Sequence, residues 1–137
     1  MLKVGFTGTE YKLTEKQKEV LVKTLQDIRT VELHHGDCVG ADSACHYIAL
    51  DLGINIVVHP PINPRLRAFC KNDIVLPQKP YLERNHDIVD VTDVLVACPY
   101  ERGELLRSGT WATIRYARKM HRKIYVIFND GSVRVEG

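Results

Sequence analysis

The residues best suited to chemistry lie in Arg107-Ser108-Gly109-Thr110. Serine is a strong N-cap, and glycine lets a ligand approach the backbone. The first N–H groups of a helix have no partner inside it, and the helix dipole favours an anion above them. Arg107, one residue before the cap, adds a charge-assisted donor for the same anion. The run from Trp111 to Lys119 supplies the helix, and Arg115, Arg118, Lys119, His121, Arg122 and Lys123 place cations where a helix C-terminus wants them. Two readings stand: a phosphate-like or carboxylate group held at Ser108–Thr110, or an ordinary capped helix with a surface arginine.

A second cluster is His35-Gly36-Asp37-Cys38-Val39-Gly40-Ala41-Asp42. Two glycines and two acids stand between a strand and a helix. Asp42 and His46 are four apart and share a helical face. Three roles are open. Asp42 can favour a helix N-terminus electrostatically. Asp37 or Asp42 can hydrogen-bond ribose hydroxyls or a base edge. His35, Asp37, Asp42 and His46 can hold a metal, although nothing in the spacing fixes its geometry, and no metal or cofactor is expected.

Elements of alternating type position these clusters. Leu2 to Phe6 is a strand running into Thr7-Gly8-Thr9, a small-residue loop of the kind that parallel sheets place against ligands; a plain turn reads equally well. Thr14 to Gln17 matches a capping box, with Leu21, Leu25 and Ile28 following at helical spacing. Val31 to His34 is a strand, and the next helix ends at Gly53. Ile54 to Val58 reads as a strand buried on both faces. A long Pro-rich connection follows, carrying Arg65, Arg67 and Phe69. It suits either closure over a nucleotide, with Phe69 stacking and an arginine on phosphate, or a surface excursion. Tyr81 to Val89 is a helix that puts Asn85 on its inner face, where a buried amide needs partners. Asp93 to Cys98, Ile124 to Phe128 and Ser132 to Glu136 are the remaining strands.

The order β-α-β-α-β-loop-α-β-α-β-β implies an α/β, three-layer Rossmann-like fold with a mostly parallel sheet flanked by helices. Ligands of such sheets bind beyond the carboxyl ends of the strands. The segments Thr7–Thr9, His35–Asp42, His59–Lys71 and Cys98–Thr110 all fall at that edge. At 137 residues the chain suits one domain, residues 1–137. A net charge of +2 makes no electrostatic case for nucleic acid or an anionic membrane. No apolar run approaches the ~20 residues of a membrane span, and the strand-like N-terminus is not a signal peptide. Cys38, Cys45, Cys70 and Cys98 form no CxxC pair and read as free thiols of a cytoplasmic protein.

Three stretches resemble one family. Gly36-x-x-x-Gly40-Ala41-Asp42-x-x-Cys45-His46-x-x-Ala49, Arg84-Asn85-x-x-Ile88-Val89 with Asp93 to Val96, and Arg107-Ser108-Gly109-Thr110 through Arg118 are similar, in that order, to stretches of the bacterial DNA-processing protein A. The chain thus resembles the SLOG superfamily, which also holds the LOG phosphoribohydrolases and nucleotide-sensing domains of bacterial immunity. Its compact length, Gly5-Phe6-Thr7-Gly8-Thr9 and Trp111 look like the stand-alone phage or bacterial members.

The resemblance implies a nucleotide or nucleotide-derived ligand, ADP-ribose-like or a cyclic nucleotide signal. It would lie across Gly8 and Thr9, then Gly36, Asp37, Gly40, Ala41 and Asp42, with Arg84 and Asn85, and finally Arg107, Ser108, Gly109 and Thr110. LOG enzymes carry a glutamate shortly after their Gly-Thr, where this chain has Thr113. A threonine cannot serve as that carboxylate. An enzyme would have to use Asp37, Asp42, Glu101 or Glu104 instead. The expected function is therefore a sensor or sequestering protein for a nucleotide-derived molecule, in phage–host conflict, acting as a homo-oligomer. A nucleotide N-glycosidase is the alternative, and a DNA-processing accessory protein, disfavoured by the near-neutral charge, is the second.

Overall fold

The computed structural model describes residues 2–137. The chain runs β1 (Leu2–Gly8), α1 (Glu15–Asp27), β2 (Thr30–His35), α2 (Ala41–Asp51), β3 (Asn55–Val58), α3 (Tyr81–Asp90), β4 (Val94–Cys98), α4 (Gly109–Lys119), β5 (Lys123–Ile127) and β6 (Val133–Glu136). The strands form one six-stranded sheet in the order β3-β2-β1-β4-β5-β6. All pairs are parallel except β5 with β6. This is a three-layer Rossmann-like α/β fold.

Side-chain alternation along the strands builds the layers. Val94, Val96 and Cys98 pack with Leu21 and Leu25 of α1 and with Cys45 and Ala49 of α2. The intervening Leu95 and Ala97 pack with Val89 of α3 and with Trp111, Ile114 and Ala117 of α4. Every residue of β4 is buried, so its unbroken apolar run is that of a strand covered on both faces. Gly5 makes room for α3: a Cβ there would lie 2.9 Å from Thr92 Oγ1 and 3.0 Å from Ile88 Cγ2.

Local signals fix where the helices start. Thr14 Oγ1 accepts from the Gln17 N–H, and Gln17 Oε1 accepts from the Thr14 N–H, both at 3.1 Å, completing the capping box of α1. The buried Gln17 also donates through Nε2 to the Ile127 carbonyl at 3.1 Å, so the cap ties α1 to the end of β5. Ser108 Oγ accepts from the Trp111 N–H at 3.3 Å at the start of α4. No helix among the described residues is long and apolar enough to cross a membrane.

The strand order reverses between β1 and β4, because the chain builds outward through β2 and β3 and then returns to the other side of β1. The loops after these two strands diverge there and leave a crevice at the carboxyl edge.

Gly5→Val is expected to destabilise the fold by about 1–3 kcal/mol through overpacking against Ile88 and Thr92. The urea unfolding midpoint measures it, and an unchanged midpoint would mean that α3 does not press on β1 as described.

Candidate functional site

The crevice is a cleft of about 580 Å³. Gly8, Thr9, Glu10 and Tyr11 form one wall, continuing from β1. Tyr100, Glu101 and Leu105, from the loop after β4, form the other. Arg107, Ser108, Gly109 and Thr110 lie at its end, and Cys38, Leu66 and Tyr81 border its side.

The start of α4 supplies donors. Ser108 Oγ takes the Trp111 N–H, and the Ala112 N–H goes to the Ser108 carbonyl at 2.9 Å. The N–H groups of Gly109 and Thr110 make no hydrogen bond among the described residues. They sit at the positive end of the α4 dipole, with Arg107 beside them. Gly109 leaves room for Tyr81, whose hydroxyl stands against this helix start where a Cβ would lie. Tyr11 and Tyr100 pack with ring centroids 4.9 Å apart and both are more than half exposed, so the cleft beside this helix start is bordered by aromatic surface.

The chemistry of the other cluster is directed inward. Asp42, buried, accepts from the N–H groups of Gly36 and Cys38, each at 3.1 Å, and so shapes the loop after β2. Burial pushes its carboxyl up to about 6, against the opposing field of Arg84 and these two bonds. Asp37 is fully buried in a left-handed conformation with φ of 55°. Its carboxylate accepts from Arg67 Nε at 2.8 Å and from the Cys70 N–H at 2.9 Å. The positive φ turns the side chain away from the cleft and onto the Pro-rich connection. Neither acid lines the cleft.

Arg84, 2% exposed, reaches from α3 to the carbonyls of Gly36 and His59, the latter at 3.0 Å, and donates through Nε to Asn85 Oδ1 at 2.7 Å. A Cβ at Gly36 would overlap its guanidinium, which explains that glycine without a ligand. Gly40 has φ of 89°, and the Glu10–Tyr11 backbone lies where its Cβ would be. The Ala41 N–H donates to the Thr9 carbonyl at 2.9 Å. Thus Gly36, Asp37, Gly40, Ala41, Asp42, Arg84 and Asn85 form the cleft's support and lie outside its lining, whereas Gly8, Thr9, Arg107, Ser108, Gly109 and Thr110 line it.

Two histidine chains complete that support. The Asp37 N–H donates to His35 Nδ1 at 2.9 Å, so His35 carries its proton on Nε2 and donates to His46 Nδ1 at 2.9 Å. His46 Nε2–H then donates to the Lys71 carbonyl at 3.0 Å. Cys70 lies close enough that its sulfur and the two rings have ligand atoms within 4.8 Å. A metal there would need the His35 Nε2 lone pair while Nδ1 still accepts the Asp37 N–H hydrogen bond, which requires an imidazolate. The metal reading therefore gives way to a neutral relay that pins Lys71. In the other chain, His34 Nε2 donates to Glu32 at 2.6 Å and His34 Nδ1 accepts from His59 Nε2 at 2.7 Å.

The Pro-rich connection is anchored along its length. Besides the Asp37 and His46 contacts, the Val58 N–H donates to the Ile74 carbonyl at 3.0 Å, and the Leu76 N–H to the Val58 carbonyl at 2.9 Å. Arg67 stacks over Phe69 at 4.5 Å. Arg67 and Phe69 are thereby committed to each other and to Asp37, and with Arg65 lie outside the cleft lining, so closure of this loop by Phe69 and an arginine is not seen. Glu104 pairs with Arg118 at 2.7 Å and straps its loop to α4, so that of Asp37, Asp42, Glu101 and Glu104 it is Glu101 that lines the cleft. Glu10, a cleft carboxylate, and Tyr11, Cys38, Leu66, Tyr81 and Tyr100 were not singled out by sequence. Tyr100 carried a usable signal, standing two residues after the last residue of β4 at the carboxyl edge.

No family model and no curated protein matches the chain. Solved structures do. A molybdenum cofactor binding protein from Rippkaea orientalis superposes with a TM-score of 0.71 at 19% identity, over 93% of this chain and 77% of that one. DNA processing protein A from Streptococcus pneumoniae gives 0.67 at 19% identity, over 90% of this chain and 49% of that one. The structural-genomics target TM1055 gives 0.66 at 16%, over 90% and 72%. The chain shares their fold. It spans about half the length of the DNA processing protein, and the likeness read from the three sequence stretches is matched at the level of the fold.

Two outcomes follow from the support network. Arg84→Met strands the Gly36 and His59 carbonyls and leaves Asp42 without its opposing charge, so a loss of about 3 kcal/mol is expected by urea unfolding. A wild-type midpoint would show the guanidinium to be dispensable. Burial lowers His35 from 6.5 to about 3 and His59 from 6.5 to about 4, so unfolding takes up protons at both below pH 6.5. Asp42 acts oppositely between about 6 and 3.8, where the folded state holds the extra proton. Two uptakes exceed one release, so stability is expected to fall as pH drops from 6.5 towards 4; a flat urea midpoint over that range would contradict the neutral relay.

Proposed function

We propose that the protein binds a small nucleotide-derived anion in this cleft and acts as a sensor or sequestering protein. The observation that carries the reading is the pair of unpartnered N–H groups at Gly109 and Thr110, beside Arg107 and bordered by tyrosines. Helix N-terminus and guanidinium recognise the phosphate, and the exposed aromatic rings suit the base or sugar face. The fold alone does not choose the ligand: one neighbour is named for binding the molybdenum cofactor and another for processing DNA.

The groups around the anion site favour binding over turnover. Burial pushes the Cys38 thiol up to about 11, so at neutral pH it is protonated and a poor nucleophile. Asp37 and Asp42 are spent on the loops, and Glu104 on Arg118. Glu10 and Glu101 keep an N-glycosidase as the second reading, since both border the cleft.

Thermal-shift measurement against nucleotides, ADP-ribose and cyclic dinucleotides, with product analysis of each mixture, tests both. Stabilisation by at least one anionic nucleotide without new products is expected. Release of free base supports the second reading and ends the first. Arg107→Ala is expected to weaken binding about tenfold or more, the worth of a charge-assisted bond, with an unchanged melting temperature of the free protein. Equal affinity in that variant would move the anion elsewhere.

A further inference from the structure

A second cavity, of about 500 Å³, opens beside the cleft and is lined by Pro61, Ile62, Asn63 and Pro80 from the Pro-rich connection. Cys38, Leu66 and Tyr81 line both cavities, so the two spaces meet across these three side chains. Their surfaces differ in kind. The cleft carries Arg107 and the helix start; the neighbouring cavity is walled by proline rings, aliphatic groups and the Tyr81 ring, with no charged side chain in its lining.

We propose that the neighbouring cavity is the nucleobase subsite of the same ligand, resting on the reading that the phosphate sits at Gly109, Thr110 and Arg107. Tyr81 joins the halves. Its hydroxyl stands against Gly109 at the anion end, the Arg84 guanidinium lies 5.0 Å from its ring centroid, and the same side chain lines the apolar cavity that a flat heterocycle would fill. The walls are rigid, because both strands of the connection are tied together: the Ile62 N–H donates to the Lys79 carbonyl at 3.1 Å, and the Lys79 N–H to the Pro60 carbonyl at 3.3 Å. The Val39 N–H holds Leu66 in place through its carbonyl at 2.8 Å.

Asn63 supplies selectivity. Its Oδ1 accepts from the Arg65 N–H at 3.0 Å, which fixes the amide orientation and leaves the NH2 to donate. An amide donor at the border of an apolar pocket reads an acceptor edge, such as a ring nitrogen or carbonyl of the base. The protein therefore distinguishes a nucleotide from a bare sugar phosphate, and discriminates among bases by their acceptors.

Isothermal titration with ribose 5-phosphate and with the four ribonucleoside 5′-monophosphates tests this. In the wild type at least one monophosphate is expected to bind about tenfold tighter than ribose 5-phosphate, from burial of the ring. Ile62→Asp, at a position 56% exposed and outside the cleft lining, is expected to abolish that advantage while leaving ribose 5-phosphate affinity and the melting temperature unchanged. Asn63→Asp keeps the acceptor for Arg65 and removes the donor, and is expected to reduce the spread among the four bases. Monophosphates binding no tighter than ribose 5-phosphate, or an advantage that survives Ile62→Asp, would overturn the base subsite while the anion site stands. Binding of neither probe would overturn the anion site as well.

Discussion

A single buried guanidinium holds the carboxyl edge of the sheet together. Arg84 comes from α3, yet its hydrogen bonds go to the backbone after β2 and after β3. A buried cation is tolerated only when its donors are satisfied and a negative charge is near. The carbonyls of Gly36 and His59, the Asn85 amide oxygen and the field of Asp42 meet that demand. Each of these groups is therefore fixed in position by the cost of leaving the guanidinium unsatisfied. Gly36 lacks a side chain because the guanidinium occupies that space.

Two helix starts at this edge have different fates. Both α2 and α4 begin at the carboxyl edge, α2 after a short loop with two glycines and α4 after a longer, charged connection. At α2 the chain after β1 folds over Gly40, and the Ala41 N–H is consumed by the Thr9 carbonyl. At α4 the preceding loop is tied to other elements instead. Arg115 donates to the Leu106 carbonyl at 3.1 Å, Arg118 holds Glu104, and Arg102 holds Asp130 at 2.9 Å. The basic residues along α4 thus work in part as straps that keep its N-terminus open.

The acids after β2 show how one set of residue types serves opposite ends. Aspartates in a Gly-rich loop at a strand's carboxyl end suit a ribose, a metal or the backbone equally well. Here the backbone takes both, and the reward is a rigid platform under Gly8 and Thr9. The neutral histidine chains serve the same end, since each ring passes one proton along and needs no charge.

Features that depend on neighbours along the chain can be read from residue order. The alternation of elements, the capping box at Thr14, the Ser108 cap and the buried run of β4 were legible, because helix ends and strand faces are set by residues within a turn of one another. The cleft residues contributed by a single segment, Arg107 to Thr110 and Gly8 with Thr9, were legible for the same reason. Where Asp37, Asp42 and Arg67 point, and the meeting of Tyr11, Tyr81 and Tyr100 at one rim, are set by contacts across the fold. Those outcomes depend on the positive φ at Asp37 and on contacts between residues tens of positions apart, such as Arg67 with Asp37 and Arg84 with Gly36. Side-chain direction at such sites is fixed by burial and hydrogen-bond satisfaction across the whole fold, which no local pattern encodes.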